Sequence, residues 1–188
     1  MAEGRSLLSC CLHMAGGERR GGVPTLPSCR DGLRIFCGIT ISMAVITGMA
    51  MNAAVPVLVA SLGASACLVF VVPNGPYSRP RNVVGGHFVA AGVGVLVAGT
   101  LGCTWYGAAI AVGGAVVAML YTRTLHPPAA ATALIAVLAN QGLLYPLVPA
   151  AAGAAILMAA GMVFNRLFAS TAGHPGPPMA DRSGSPAP

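Results

Sequence analysis

Apolar residues fill six runs of this chain, at 35–51, 55–72, 83–101, 105–120, 127–139 and 145–168. Short polar or proline-bearing links separate them. Apolar runs of about 17 residues or more with almost no charge are transmembrane-helix candidates. The first link, residues 52–56, reads as a turn. Pro73-Asn74-Gly75-Pro76 is a strong break after the second run. Gly102-Cys103-Thr104 is a tight link between the third and fourth. A 17-residue helix is about 26 Å long at 1.5 Å per residue, barely enough for a hydrocarbon core of about 30 Å. The 127–139 segment reaches only about 20 Å by the same arithmetic. It is either a half-helix buried among the others or a helix crossing a thinned region. The pattern therefore predicts an all-α, polytopic transmembrane helical bundle of about five spans plus one short proline-initiated helix.

Composition supports bilayer as the solvent. The chain of 188 residues is 56% hydrophobic and 7% charged, with mean hydropathy +0.79. A soluble domain carries about 25% charged residues. Between Asp31 and Asp181 there is no Asp, Glu or Lys, and the fixed charges are Arg34, Arg79, Arg81, Arg123 and Arg166. A net charge of +6 would suggest nucleic acid in a soluble protein. Here the arginines are scattered between apolar runs, so nucleic acid is not an expected partner.

The expected organisation is a disordered basic tail over 1–32, the bundle over 33–168, and a disordered Pro/Gly/Ser-rich tail over 169–188. The N-terminal tail, Arg34, Arg79, Arg81 and Arg123 share one side if the first four runs each cross once. The opposite links carry no charge. The positive-inside rule then puts the N-terminus in the cytoplasm. Abundant Ala, Gly and Arg without Lys suggests a GC-rich genome, and hence a bacterial inner (plasma) membrane. The six cysteines show no CxxC and no zinc spacing. Neither metal nor cofactor is expected. Small residues such as Ala60, Ser61, Ala64, Ser65, Gly85, Gly86, Gly113 and Gly114 read first as close helix packing.

Three segments carry candidate chemistry. In Arg123-Thr124-Leu125-His126-Pro127-Pro128-Ala129, the residue before a proline is pushed out of the helical region. Pro127 and Pro128 suit the first helical turn. A helix start offers free N–H groups and partial positive charge, so it suits anions, and broken helices mark transporter sites. Arg123 and His126 add donors. The alternative is a simple proline-capped helix after a tight turn. In the second segment, Arg79 and Arg81 form either a vestibule that concentrates anions or a topology anchor. His87 lies about a turn into the third run. An intramembrane histidine faces the bundle interior or water, or bonds a neighbouring backbone. Third, Ser65 in Gly63-Ala64-Ser65-Ala66 offers a hydroxyl inside the bilayer. The substrate-binding set is thus Ser65, Arg79, Arg81, His87, Arg123, His126, Pro127 and Pro128.

Leu62-Gly63-Ala64-Ser65-Ala66, Pro80-Arg81-Asn82 with Gly85-Gly86-His87, and Arg123-Thr124-Leu125-His126-Pro127-Pro128-Ala129 through Thr132-Ala133-Leu134 occur in the order and spacing of one family. The chain resembles the HPP family of integral membrane proteins, named for its His-Pro-Pro tripeptide, over about residues 33–168. Members in plastids and cyanobacteria are associated with nitrite transport. The resemblance implies a nitrite-like small anion as substrate. The expected function is a transporter or channel for a small monovalent anion, and the expected partners are the lipid bilayer, that anion and, in a homo-oligomer, further copies of the chain. The alternative is a non-transporting membrane assembly or sensor subunit. An enzyme is not expected, because the apolar region holds no carboxylate pair and no metal cluster.

Overall fold

The computed structural model describes residues 28–52 and 59–168. Six α-helices lie among them: α1 (Cys29–Asn52), α2 (Val59–Val71), α3 (Pro80–Leu101), α4 (Trp105–Tyr121), α5 (Ala130–Leu138) and α6 (Ala152–Leu167). Short 3-10 turns, Pro76–Ser78 and Pro127–Ala129, precede α3 and α5. The segment Pro146–Ala151 leads into α6, with Val148 out of helical conformation.

The architecture is the all-helical bundle that the apolar runs predicted. Three helical stretches are long and apolar enough to cross a membrane: Cys29–Met51, Pro80–Leu101 and Pro146–Leu167. Three are shorter: Ala60–Val71, Trp105–Tyr121 and Pro127–Leu138. The 127–139 segment is therefore one of several short apolar helices. The turn expected over 52–56 falls largely outside the described residues, as do the tails over 1–27 and 169–188.

One boundary differs from expectation. The helix begins at Cys29, inside the segment read as tail. Ser28 explains the early start. Its Oγ accepts from the backbone N–H of Asp31 at 3.2 Å and donates to the Asp31 carboxylate at 2.7 Å. A hydroxyl followed three residues later by an acid is a helix-start arrangement. Similarly, Thr104 caps α4 by accepting from Gly107 N–H at 3.1 Å. Gly102 ahead of it takes φ +67°, a conformation that favours glycine.

The side-chain distribution is inverted relative to a soluble domain. Leu33, Phe36, Leu96, Trp105, Tyr121 and Leu143 are exposed. Buried positions are dominated by alanines, together with Ser61, Ser65, His87, His126 and Thr132. In lipid, a large apolar side chain gains nothing by turning inward, and small residues allow backbones to approach. Trp105 and Tyr121 sit at opposite ends of α4, 83% and 87% exposed. Aromatic residues at both ends of an apolar helix suit the two membrane–water interfaces.

Helix α3 is the hub. It packs against α4, α5, α6, both 3-10 turns and the 146–151 segment. One apolar cluster joins Ile46, Leu62, Val69, Phe70, Val83 and Leu157 across α1, α2, α3 and α6. A second, almost all alanine, joins α3, α4 and α5 through Ala90, Ala98, Ala111, Ala115 and Ala133. Gly94 sets the α3–α5 approach. A Cβ there would stand 2.6 Å from the Ala133 carbonyl oxygen and 2.6 Å from the Ala136 Cβ.

Gly94→Val is expected to lower stability by about 1–3 kcal/mol or more, the usual cost of overpacking a tight interior. Gly113→Ala, where an added Cβ meets nothing within 4 Å, should not. Thermal unfolding in detergent compares them. Equal stability of the two variants would refute the close helix approach.

Candidate functional site

Five of the polar residues buried in this apolar bundle form one connected group. Ser61 and Ser65 lie one turn apart on α2, His87 two turns into α3, and Thr132 in the first turn of α5. His126 lies just ahead of the second 3-10 turn. Each is at most 1% exposed.

Ser65 is the junction. Its Oγ lies 2.9 Å from His87 Nε2, 2.9 Å from His126 Nε2 and 3.0 Å from the Ser61 carbonyl oxygen. The outer nitrogens of the two rings have separate partners. His87 Nδ1 is 2.7 Å from Thr132 Oγ1, which reaches Ser61 Oγ at 3.1 Å. His126 Nδ1 is 2.8 Å from the Tyr77 carbonyl oxygen. A carbonyl oxygen only accepts, so His126 carries a proton on Nδ1. The ring centroids are 5.5 Å apart with the planes tilted by 53°, and the Ser65 hydroxyl bridges the two Nε2 atoms.

Local sequence places each ring. His126 has φ −137° and ψ 99°, the extended conformation imposed before Pro127. That conformation carries its imidazole into the bundle. Gly86, one residue before His87, makes room. A Cβ there would lie 2.8 Å from His126 Cβ and 2.9 Å from the Thr124 carbonyl oxygen. Asn82 staples the two loops together, its Nδ2 donating to the carbonyls of Pro76 and Leu125 at 3.0 Å each. Ser78 Oγ donates to the Leu68 carbonyl at the end of α2. The loops that hold Tyr77 and His126 are thus tied to α2 and α3.

Of the residues expected to bind substrate, the structure brings together Ser65, His87 and His126. Arg79, Arg81 and Arg123 lie exposed at the end of the bundle where these loops meet. Arg81 donates from Nη2 to the Thr122 carbonyl at 3.0 Å, and Arg123 sits in the left-handed region at φ 56°. The guanidinium groups form a rim and the imidazoles a buried centre. Pro127 and Pro128 start the short helix as expected, but the free N–H groups predicted there are spent. Ala129 N–H donates to the His126 carbonyl, and Ala130 N–H to the carbonyls of Pro127 and Pro128. A tight 3-10 first turn consumes its own donors, and Ala129 is fully buried. The N–H groups of Ala129 and Ala130 are therefore not free for an anion, contrary to expectation.

Sequence reading passed over Ser61, Thr132, Asn82 and the Tyr77 carbonyl as site groups. Each is polar within or beside a charge-free apolar run, which is a signal in itself. Their partners lie 45 to 71 residues away for Thr132 and 43 for the Asn82–Leu125 bond. Such pairings are not visible locally.

These features define a polytopic helical membrane protein built around a buried imidazole pair. The family model described as HPP, transmembrane region, matches residues 24–174. The chain belongs to that family. It is 34% identical over 169 residues to a transmembrane protein of Dictyostelium discoideum, covering 85% of this chain and 59% of the relative. A second transmembrane protein of the same organism is 38% identical over 116 residues, covering 57% of this chain and 37% of the relative. The chain therefore spans well under two thirds of the length of these relatives. No solved structure matches it.

Ser65→Ala is expected to destabilise the bundle by about 1–3 kcal/mol, because it strands buried ring nitrogens without a partner. Arg123→Ala, at an exposed position, should change stability little. Unfolding midpoints in detergent would decide it, and an unchanged Ser65→Ala midpoint would show that the three-way junction is not formed.

Proposed function

We propose that this integral membrane protein passes a small monovalent anion of nitrite type across the bilayer. The observation that carries this reading is the buried Ser61–Ser65–His87–His126–Thr132 network. Ionisable side chains are expensive inside a membrane and mark pathways for ions, protons or solutes. The fixed charge of the described residues favours the same ligand sign, since Arg30, Arg34, Arg79, Arg81, Arg123 and Arg166 are opposed among them only by Asp31 at the start of α1. Arg79, Arg81 and Arg123 at one mouth raise the local anion concentration. The hydroxyl and imidazole groups beneath them supply donors along the way. The reading is of a transporter or channel, and it assigns no covalent chemistry to the site. The arginine rim faces the cytoplasm of a bacterial inner membrane, following the positive-inside rule.

A second reading, a non-transporting assembly or sensor subunit, draws on one observation. The ring nitrogens of both histidines find partners within the protein, as in a network that only holds helices together.

Flux of nitrite, nitrate, chloride and formate into liposomes holding purified protein, at two pH values, separates the readings. Selective anion entry is expected, with Arg81→Gln lowering it several-fold while the protein remains folded. Absence of selective permeability would favour the subunit reading. Unchanged flux in Arg81→Gln would remove that residue from the pathway.

A further inference from the structure

The hydrogen bonds around Ser65 have a property that neither anion passage nor helix packing requires. We propose that His126, Ser65 and His87 form a proton relay, in which one proton bound by the imidazole pair passes between the rings through the Ser65 hydroxyl. It holds whatever solute crosses.

Donor counting leads there. His126 Nδ1–H is committed to the Tyr77 carbonyl. With both rings neutral, His126 Nε2 is then an acceptor, and in the relay arrangement the Ser65 Oγ–H, whose other acceptor is the Ser61 carbonyl, donates to it. His87 Nε2–H donates to Ser65 Oγ, leaving His87 Nδ1 to accept from Thr132 Oγ1–H. All these bonds run in one direction, ending on the Tyr77 carbonyl.

One added proton, taken from water onto Thr132 Oγ1, reverses every bond but that to the Tyr77 carbonyl without displacing a heavy atom: the former Thr132 Oγ1–H proton bonds to His87 Nδ1, the His87 Nε2–H proton to Ser65 Oγ, and the Ser65 Oγ–H proton to His126 Nε2. His126 becomes an imidazolium and donates from Nε2 to Ser65 Oγ. Ser65 Oγ–H donates to His87 Nε2, and His87 Nδ1–H donates to Thr132 Oγ1. The Thr132 hydroxyl turns to Ser61 Oγ, which lies 3.1 Å away in donor geometry. From that state the relay step is balanced. The His126 Nε2–H bond breaks and its proton bonds to Ser65 Oγ, while the Ser65 Oγ–H bond breaks and its proton bonds to His87 Nε2. Ser65 ends unchanged, His126 neutral and His87 an imidazolium. The charge has moved from the ring tied to the arginine-bearing loop to the ring tied to α5.

The surroundings leave this pair to itself. The titratable groups on neighbouring elements are Arg79 and Arg81 at the start of α3, Tyr77 before it, Cys67 on α2, Tyr106 and Tyr121 on α4, Arg123 before the short helix, and Tyr145 ahead of α6. Arg166 lies on α6, Cys29, Arg30, Arg34 and Cys37 on α1, and Cys103 between α3 and α4. None of their side chains makes a hydrogen bond to either ring, and the carboxylate among the described residues, Asp31, caps α1. Among the described residues, then, no side chain hydrogen-bonded to the pair supplies a fixed negative charge.

Nitrogen-15 NMR of histidine-labelled protein in lipid bilayers reads this directly. His13→Ala and His174→Ala leave His87 and His126 as the only histidines. At high pH, His87 is expected as the Nε2–H tautomer and His126 as the Nδ1–H tautomer. On acidification both rings should change together, with His87 gaining an Nδ1 proton as His126 is protonated. In Ser65→Ala each ring should respond alone. Thr132→Val, the second variant, should hold His87 in one tautomer. The relay is overturned if wild-type His87 keeps its tautomer as His126 takes up a proton, if neither ring takes up a proton down to mildly acidic pH, or if folded variants respond as the wild type does. None of these outcomes depends on whether an anion crosses.

Discussion

A single hydroxyl holds the centre of this molecule together. Ser65 Oγ stands within 3.0 Å of two imidazole nitrogens and a backbone carbonyl. The first imidazole belongs to α3, the second to the loop before α5, and the hydroxyl to α2. In a bilayer interior nothing else competes for those bonds, so a buried polar group left unpaired is costly. The requirement to satisfy five polar side chains at once specifies how three parts of the chain meet. A purely apolar interface would tolerate many registers.

That demand explains the small residues around it. Gly86 lets the Thr124–His126 strand of chain lie directly on α3, and Gly94 lets α5 do so further along. Both contacts bring backbone, not side-chain tips, against the helix. Association in lipid gains little from burying large apolar groups, and depends on close packing and on hydrogen bonds. The bundle accordingly has alanine, glycine and the polar network inside, and its leucine, phenylalanine and tryptophan side chains largely outside.

Charge is arranged in two shells. Arginines occupy the rim, where water and headgroups accept them, and Arg81 also fastens α3 to the Thr122 carbonyl. Imidazoles, which can be neutral or charged, occupy the interior. A neutral imidazole can occupy a dry site without a permanent counter-charge, which a guanidinium cannot. The two shells meet at the Tyr77 and His126 loops, so an event at the rim has a short physical route to the centre.

Much of this was written locally. Long charge-free runs require a bilayer because their surface cannot be hydrated. His126 before Pro127 must be extended, and two prolines must begin a helix. Those consequences depend on neighbouring residues alone. What tertiary structure decided was partnership. Whether the N–H groups after Pro128 are open depends on the turn type, and the 3-10 turn closed them. Whether arginines or hydroxyls complete the histidine site depends on which faces of α2, α3 and α5 come together, across separations of 22, 45 and 61 residues. A bond between distant residues exists only after the helices pack, because its geometry is a property of their relative positions and not of either sequence segment.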